Sequence, residues 1–207
     1  QFANDAYFTP NGTSGILSLN YTSIQTQILS IPVGWSMFST YIYPVMPNLI
    51  DVFATMIAPV GQQGNVIIIK DYSGNVFWPA FGLNLIGNVD NTQGYQIKLT
   101  FAEQLTVSGT QVDPLTTPIN LPAGWSLISY LRTTAAPVDL MLSPIVVDIE
   151  IVKNGNGMVY WPLWGVNAIG NMVPGEGYQV KTFNAVQYIY PANATLPTKS
   201  VFTPLGE

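Results

Sequence analysis

The sequence predicts an all-β fold with one short helix per repeat, arranged as two tandem homologous modules of β-sandwich or barrel type. Three observations predict it. The first is repetition. Ile31-Pro32-Val33-Gly34-Trp35-Ser36-Met37-Phe38-Ser39 returns as Leu121-Pro122-Ala123-Gly124-Trp125-Ser126-Leu127-Ile128-Ser129. Phe77-Trp78-Pro79-Ala80-Phe81-Gly82 and its sequel through Asn88 return as Tyr160-Trp161-Pro162-Leu163-Trp164-Gly165 and its sequel through Asn171. Gly94-Tyr95-Gln96-Ile97-Lys98 returns as Gly177-Tyr178-Gln179-Val180-Lys181, so one structural unit is used twice. The second observation is a set of short β-branched runs bounded by Gly and Asn, the composition of hairpins. The third is the Trp-Pro pair that follows each returning run, since proline cannot donate to a ladder and so stops a strand there.

Taken in order, residues 1–24 mix Asn, Thr, Ser, Gly and Tyr, have no partner in the second unit, and read as an N-terminal arm or added strand. Module 1 is expected over residues 25–110, and module 2 with a C-terminal tail over 111–207. The alternation Ile24, Thr26, Ile28, Ser30 gives a strand; Pro32-Val33-Gly34 gives a turn; Trp35, Met37 and Ser39 continue as a second strand. Asn48 as N-cap and Asp51 at the third helical position start a helix of two or three turns with Ile50, Phe53 and Ile57 on one face. Its counterpart, Pro137 to Leu142, is shorter and ends at Ser143-Pro144. Asn65–Lys70 and Ile145–Lys153 each open a hairpin, turned by Asp71–Asn75 and Asn154–Gly157, whose Gly and Asn tolerate positive φ. Tyr95 and Tyr178 each begin a strand that alternates outward polar with inward apolar residues. The stretch from Gly109 to Pro118, with two prolines, is the boundary and limits relative motion of the modules. Module 1 carries seven extra residues around its helix.

Composition excludes several functions. With a formal net charge of -5 and six Lys and Arg in total, the chain has no basic cluster to release counterions from a phosphate backbone, so nucleic acid is not expected as a partner. No unbroken apolar run of about 18 residues occurs, so no membrane-spanning helix is expected. There is no histidine and no cysteine, which removes Ser-His-Asp and Cys-His nucleophile systems and the commonest metal ligands. No catalytic, cofactor-binding or metal-ligating residue is assigned, and the chain is not expected to be an enzyme. Asp148 and Glu150 lie two apart on an expected strand and read as a solvated edge that discourages aggregation, not as a glycosidase pair. The Asp71–Asn75 turn lacks the oxygen spacing of a calcium loop and reads as a hairpin turn. With only 8% charged residues, the surface suits a protein fixed in an assembly.

What the repeats keep are structural anchors: Trp35 and Trp125, Trp78 and Trp161, Tyr95 and Tyr178, Lys70 and Lys153, Lys98 and Lys181. The four tryptophans are expected in the core, with a sugar-stacking platform as the alternative. The lysines are expected to lay their stems on apolar surface and to pair their heads with a carboxylate or carbonyl row. Trp164 has no tryptophan partner, Phe81 taking its place, and these two are the candidate exposed glycan contacts.

These motifs resemble a repeat of secreted and cell-surface proteins of the Bacteroidetes group, with Gly-Trp-Asn/Ser-Leu-Ile-Ser, Val-Tyr-Trp-Pro, Asn-x-Ile-Gly-Asn and Gly-Glu-Gly-Tyr-Gln-Val-Lys. The likeness covers roughly residues 28 to 190, and module 2 follows it more closely. Modules of virion surfaces and fibres are similar too. The resemblance implies an exported, non-catalytic unit of extracellular or cell-surface location, or of a virion surface. The expected function is a structural or adhesive one, by assembly with copies of itself or a larger scaffold into a surface layer or filament. Carbohydrate binding through exposed aromatics is the alternative.

Overall fold

The computed structural model describes residues 23–193. The arm expected over residues 1–24 falls almost wholly outside that range, as does the end of the C-terminal tail.

Module 1 runs β1 (Gln25–Ile31), β2 (Gly34–Phe38), β3 (Ile42–Pro44), α1 (Leu49–Val52), β4 (Val66–Lys70), β5 (Val76–Trp78), β6 (Leu83–Asn84), β7 (Tyr95–Leu99) and β8 (Glu103–Gln111). Module 2 runs β9 (Ile119–Leu121), β10 (Gly124–Ser129), β11 (Ala136–Pro137), α2 (Val138–Met141), β12 (Ile149–Lys153), β13 (Val159–Trp161), β14 (Val166–Asn167), β15 (Asn171–Met172), β16 (Gly177–Thr182) and β17 (Val186–Tyr188). The fold is all-β and sandwich-like, and among the described residues no sheet closes into a barrel. Each module has one five-stranded antiparallel sheet, ordered β2-β7-β4-β5-β6 in the first and β10-β16-β12-β13-β14 in the second. A smaller layer, β1-β8-β3 or β9-β17, packs across from it.

Alternation decides which residues meet between the layers. Ser36, Ile97, Ile69 and Phe77 lie on successive rungs of the first sheet and face inward, as do Ser126, Val180, Val152 and Tyr160 in the second. Against the first row pack Leu29 and Ile31 of β1 and Leu105 and Val107 of β8, with Leu49, Phe53 and Met56 closing one side. The second core is built around Tyr130, Tyr178, Tyr188 and Tyr190 and shares no residue with the first.

Several sequence expectations change here. The helix in module 1 is a single turn, Leu49–Val52; Asn48 caps it by accepting from the Ile50 N–H at 3.1 Å, as expected. Its inward residues are Leu49, Phe53 and Met56, while Ile50 is exposed. Once the chain leaves helical geometry after Val52, a three-to-four spacing no longer selects one face. Pro144 turns the β-branched stretch before β12 into a 3-10 segment, Ser143–Asp148, so the strand begins only at Ile149. The boundary placed at residue 110 lies inside β8, which runs to Gln111; the connector is 112–118.

The modules meet through reciprocal contacts, not in simple series. At the end of β2, the Ser39 N–H donates to the Gly175 carbonyl at 2.9 Å; at the end of β10, the Ser129 N–H donates to the Thr92 carbonyl at 3.4 Å. Ser39 matches Ser129 and Thr92 matches Gly175 in the repeat, so the two bonds are one contact made twice about an approximate two-fold axis. Gly94 and Gly177 pack together at that axis. A Cβ on Gly94 would lie 2.8 Å from the Ile128 carbonyl oxygen, and one on Gly177 would lie 2.9 Å from that of Phe38. Only glycine permits this approach.

Candidate functional site

The outer face of each five-stranded sheet carries most of the repeated residues. Because Ser36 and Phe38 point inward, Trp35 and Met37 must point out, and the parity carries across the ladder. Trp35 faces Lys98, which faces Ile68; Met37 faces Gln96, which faces Lys70. In module 2, Trp125 faces Lys181, which faces Ile151; Leu127 faces Gln179, which faces Lys153. Trp78 and Trp161 continue the outer face on β5 and β13, opposite Leu83 and Val166 of the edge strands.

This overturns the core assignment of the tryptophans. Trp35 is 49% exposed, and Trp78, Trp125 and Trp161 are only partly buried. The inward position of each Gly-Trp-Ser is the serine, and the indole stands on the other side of the pleat. The lysine heads meet the expected kind of partner in one case, Lys181, while three others lie over tryptophan rings. The Lys70 and Lys98 ammonium groups lie 5.2 and 5.8 Å from the centroid of the Trp35 ring, and that of Lys153 lies 4.9 Å from Trp125, which is cation–π geometry. Lys181 instead forms an ion pair with Glu150 at 2.8 Å. Glu150 belongs to β12, a central strand flanked by β16 and β13, and does not sit on the expected edge. Asp148 accepts from the Asn184 side chain at 3.1 Å, so the two acids have separate partners and do not converge.

Module 1 differs at one position. The ladder skips Ile67 between Val66 and Ile68, just as it skips Glu150 between Ile149 and Ile151. Ile67 thus occupies the place of Glu150, and Lys98 lacks the carboxylate that its counterpart Lys181 has. A groove of about 410 Å³ opens beside it at the junction, lined by Trp35, Lys70 and Gln96 of module 1 and by Lys153, Asn154 and Gln179 of module 2.

Tyr95 and Tyr178 are fully buried anchors. Their hydroxyls accept the backbone N–H of Asp90 at 2.7 Å and of Val173 at 2.8 Å, fixing the loop that reaches the other module. Burial pushes the Tyr95 hydroxyl up to about 12 and raises Tyr178 further, where the Glu176 carboxylate adds to the effect. The Asp71 carboxylate closes its hairpin turn, accepting from the Asn75 N–H and side chain, both at 2.8 Å.

The outermost strands carry a second feature. Phe81 and Trp164 are 64% and 68% exposed and set edge-on against Trp78 and Trp161. Leu83, Leu85, Leu163 and Val166 are exposed beside them. The residues that sequence reasoning passed over are Ser39, Ser129, Gly94 and Gly177; their exact repetition was the available signal.

No protein-family model matches the chain, and no curated protein or solved structure matches it significantly.

Proposed function

We propose that this chain is a non-enzymatic building block of an extracellular or cell-surface assembly, joining further copies of itself through the outer edges of its two sheets. The observation that carries the reading is the pair of matching apolar edges, Phe81 with Leu83 and Leu85 in one module and Leu163 with Trp164 and Val166 in the other. Edge strands of free monomers are normally guarded by charge. No charged residue occurs from Val76 to Val89 or from Met158 to Val173, so these edges carry no charge to repel a partner. They present exposed apolar side chains at the open side of each sheet, which favours an apolar partner over water. Because each copy carries two equivalent edges, like-to-like contact gives every copy two neighbours and extends into an array. A second copy is the occupant that matches both edges at once.

Sedimentation velocity across a concentration series, with negative-stain imaging, tests this. The wild-type chain is expected to form concentration-dependent oligomers or filaments. A triple variant, Phe81→Ser, Leu163→Ser and Trp164→Ser, is expected to remain folded and monomeric, with a thermal transition lowered only by the loss of the two edge-on contacts to Trp78 and Trp161. A wild-type chain that stays monomeric, or a variant that assembles equally well, overturns the proposal. Loss of glycan-array binding on Trp164→Ser in a monomeric wild type would replace it with carbohydrate recognition.

A further inference from the structure

We propose that the groove over Trp35 binds an acidic glycan, a pyranose carrying a carboxylate or sulfate, with the ring laid on the indole and the anionic group held by Lys70 and Lys98. Two ammonium groups within 6 Å of the same half-exposed ring repel each other, and a bound anion relieves that repulsion. Neither has a carboxylate partner among the described residues, in contrast to Lys181, which pairs with Glu150. The duplication supplies an internal control. At the matching place in module 2, Glu150 neutralises Lys181, whereas module 1 has Ile67 there and leaves Lys98 open to an outside anion.

The surroundings select the rest of the ligand. No acidic residue lines the groove; Lys70 and, from module 2, Lys153 line it, while Lys98 stands next to it at 5.8 Å from the Trp35 ring centroid. In a chain with net charge -5 and six basic residues, this concentration of cations is a local reversal of sign that steers anions to one place. A bare inorganic anion has no use for the exposed Trp35 face, whereas a sugar ring stacks on it through its apolar C–H face. Gln96, Gln179 and Asn154 bring amides, each both donor and acceptor, to the hydroxyls of such a ring. The site is distinct from the outer edges proposed for assembly, so the failure of either reading leaves the other standing.

Isothermal titration of the full chain with a uronic-acid oligosaccharide, a sulfated oligosaccharide and a neutral glucan of equal length tests the proposal. At least one acidic ligand is expected to bind, with an affinity that falls as salt is added, and the neutral glucan to bind at least about tenfold more weakly. Ile67→Glu gives module 1 the arrangement of module 2 and is expected to weaken acidic binding about tenfold. Lys98→Gln and Trp35→Ala, both at partly exposed sites, are expected to weaken it comparably, with thermal melts confirming that each is folded. Equal binding of neutral and acidic ligands, unchanged affinity in folded Lys98→Gln, or inorganic polyphosphate binding as tightly as the acidic sugars overturns the assignment. So does the absence of binding by both acidic ligands.

Discussion

The serine of each Gly-Trp-Ser is the small residue on the inward face of its sheet, and the hydroxyls of Ser36 and Ser126 are both buried without a hydrogen-bond partner. A buried hydroxyl with no partner carries a desolvation cost, and alanine nearly matches serine in volume. Ser36→Ala and Ser126→Ala are therefore expected to leave stability unchanged or raise it by about 1 kcal/mol each, measured as the denaturant midpoint. Tyrosines give the opposite kind of sensitivity. Tyr95, Tyr130, Tyr178, Tyr188 and Tyr190 are buried, and burial raises each hydroxyl above the ordinary 10.0, with Tyr95 and Tyr130 reaching about 12. A phenol is neutral when protonated, so a raised folded value means the native state holds the proton more tightly than the unfolded chain. The resulting stability is complete below pH 10.0 and is lost as pH climbs through about 12. With no histidine present, stability is expected to vary little near neutrality and to collapse in alkali, with tyrosinate absorbance rising together with the loss of structure. Gradual tyrosine titration in a still-folded chain would contradict this.

Among the elements, the strand pair β2–β7 and its copy β10–β16 matter most, because their ends make the junction. Gly94→Ala pushes a methyl into the Ile128 carbonyl and the Gly177 Cα, and Gly177→Ala pushes one into Phe38. Each is expected to cost about 1–3 kcal/mol by overpacking. The double variant is expected to cost less than the two together, since either one already separates the surfaces they share. Denaturant unfolding of the three variants measures this. The same elements show what was readable beforehand. Alternation at Tyr95–Leu99 gave the strand and its inward face, and Asn48 gave the helix start, because those signals are local. The side on which Trp35 stands is not legible in the sequence, because its bulk suggests burial while the inward slot is held by a serine that looks like a surface residue. The 3-10 turn before β12 was hidden for a similar reason: Val146 and Val147 favour strands, but Pro144 denies the backbone a ladder donor.

At the scale of the whole molecule, the duplication, the β class and the two-module plan were legible because repetition needs no energetics to detect. The junction was not. Nothing local to Ser39 states that its N–H will end on Gly175, more than a hundred residues away in the other module, and only the assembled sheets bring the two together. The groove over Trp35 shares this origin, since Lys153 and Asn154 reach it from the second copy of the unit. Ile67 in place of Glu150 was visible in the sequence, but its meaning depended on the bulge that sets both residues beside a lysine.

The reciprocal junction limits how the unit can be multiplied. A half-turn that returns each surface to its twin is complete once two partners have met, unlike the stepwise stacking of a solenoid, which leaves a fresh face for the next member. A longer polypeptide made of these units would therefore have to add them in couples, and an odd one would be left with an unmatched serine and glycine rim exposed to water.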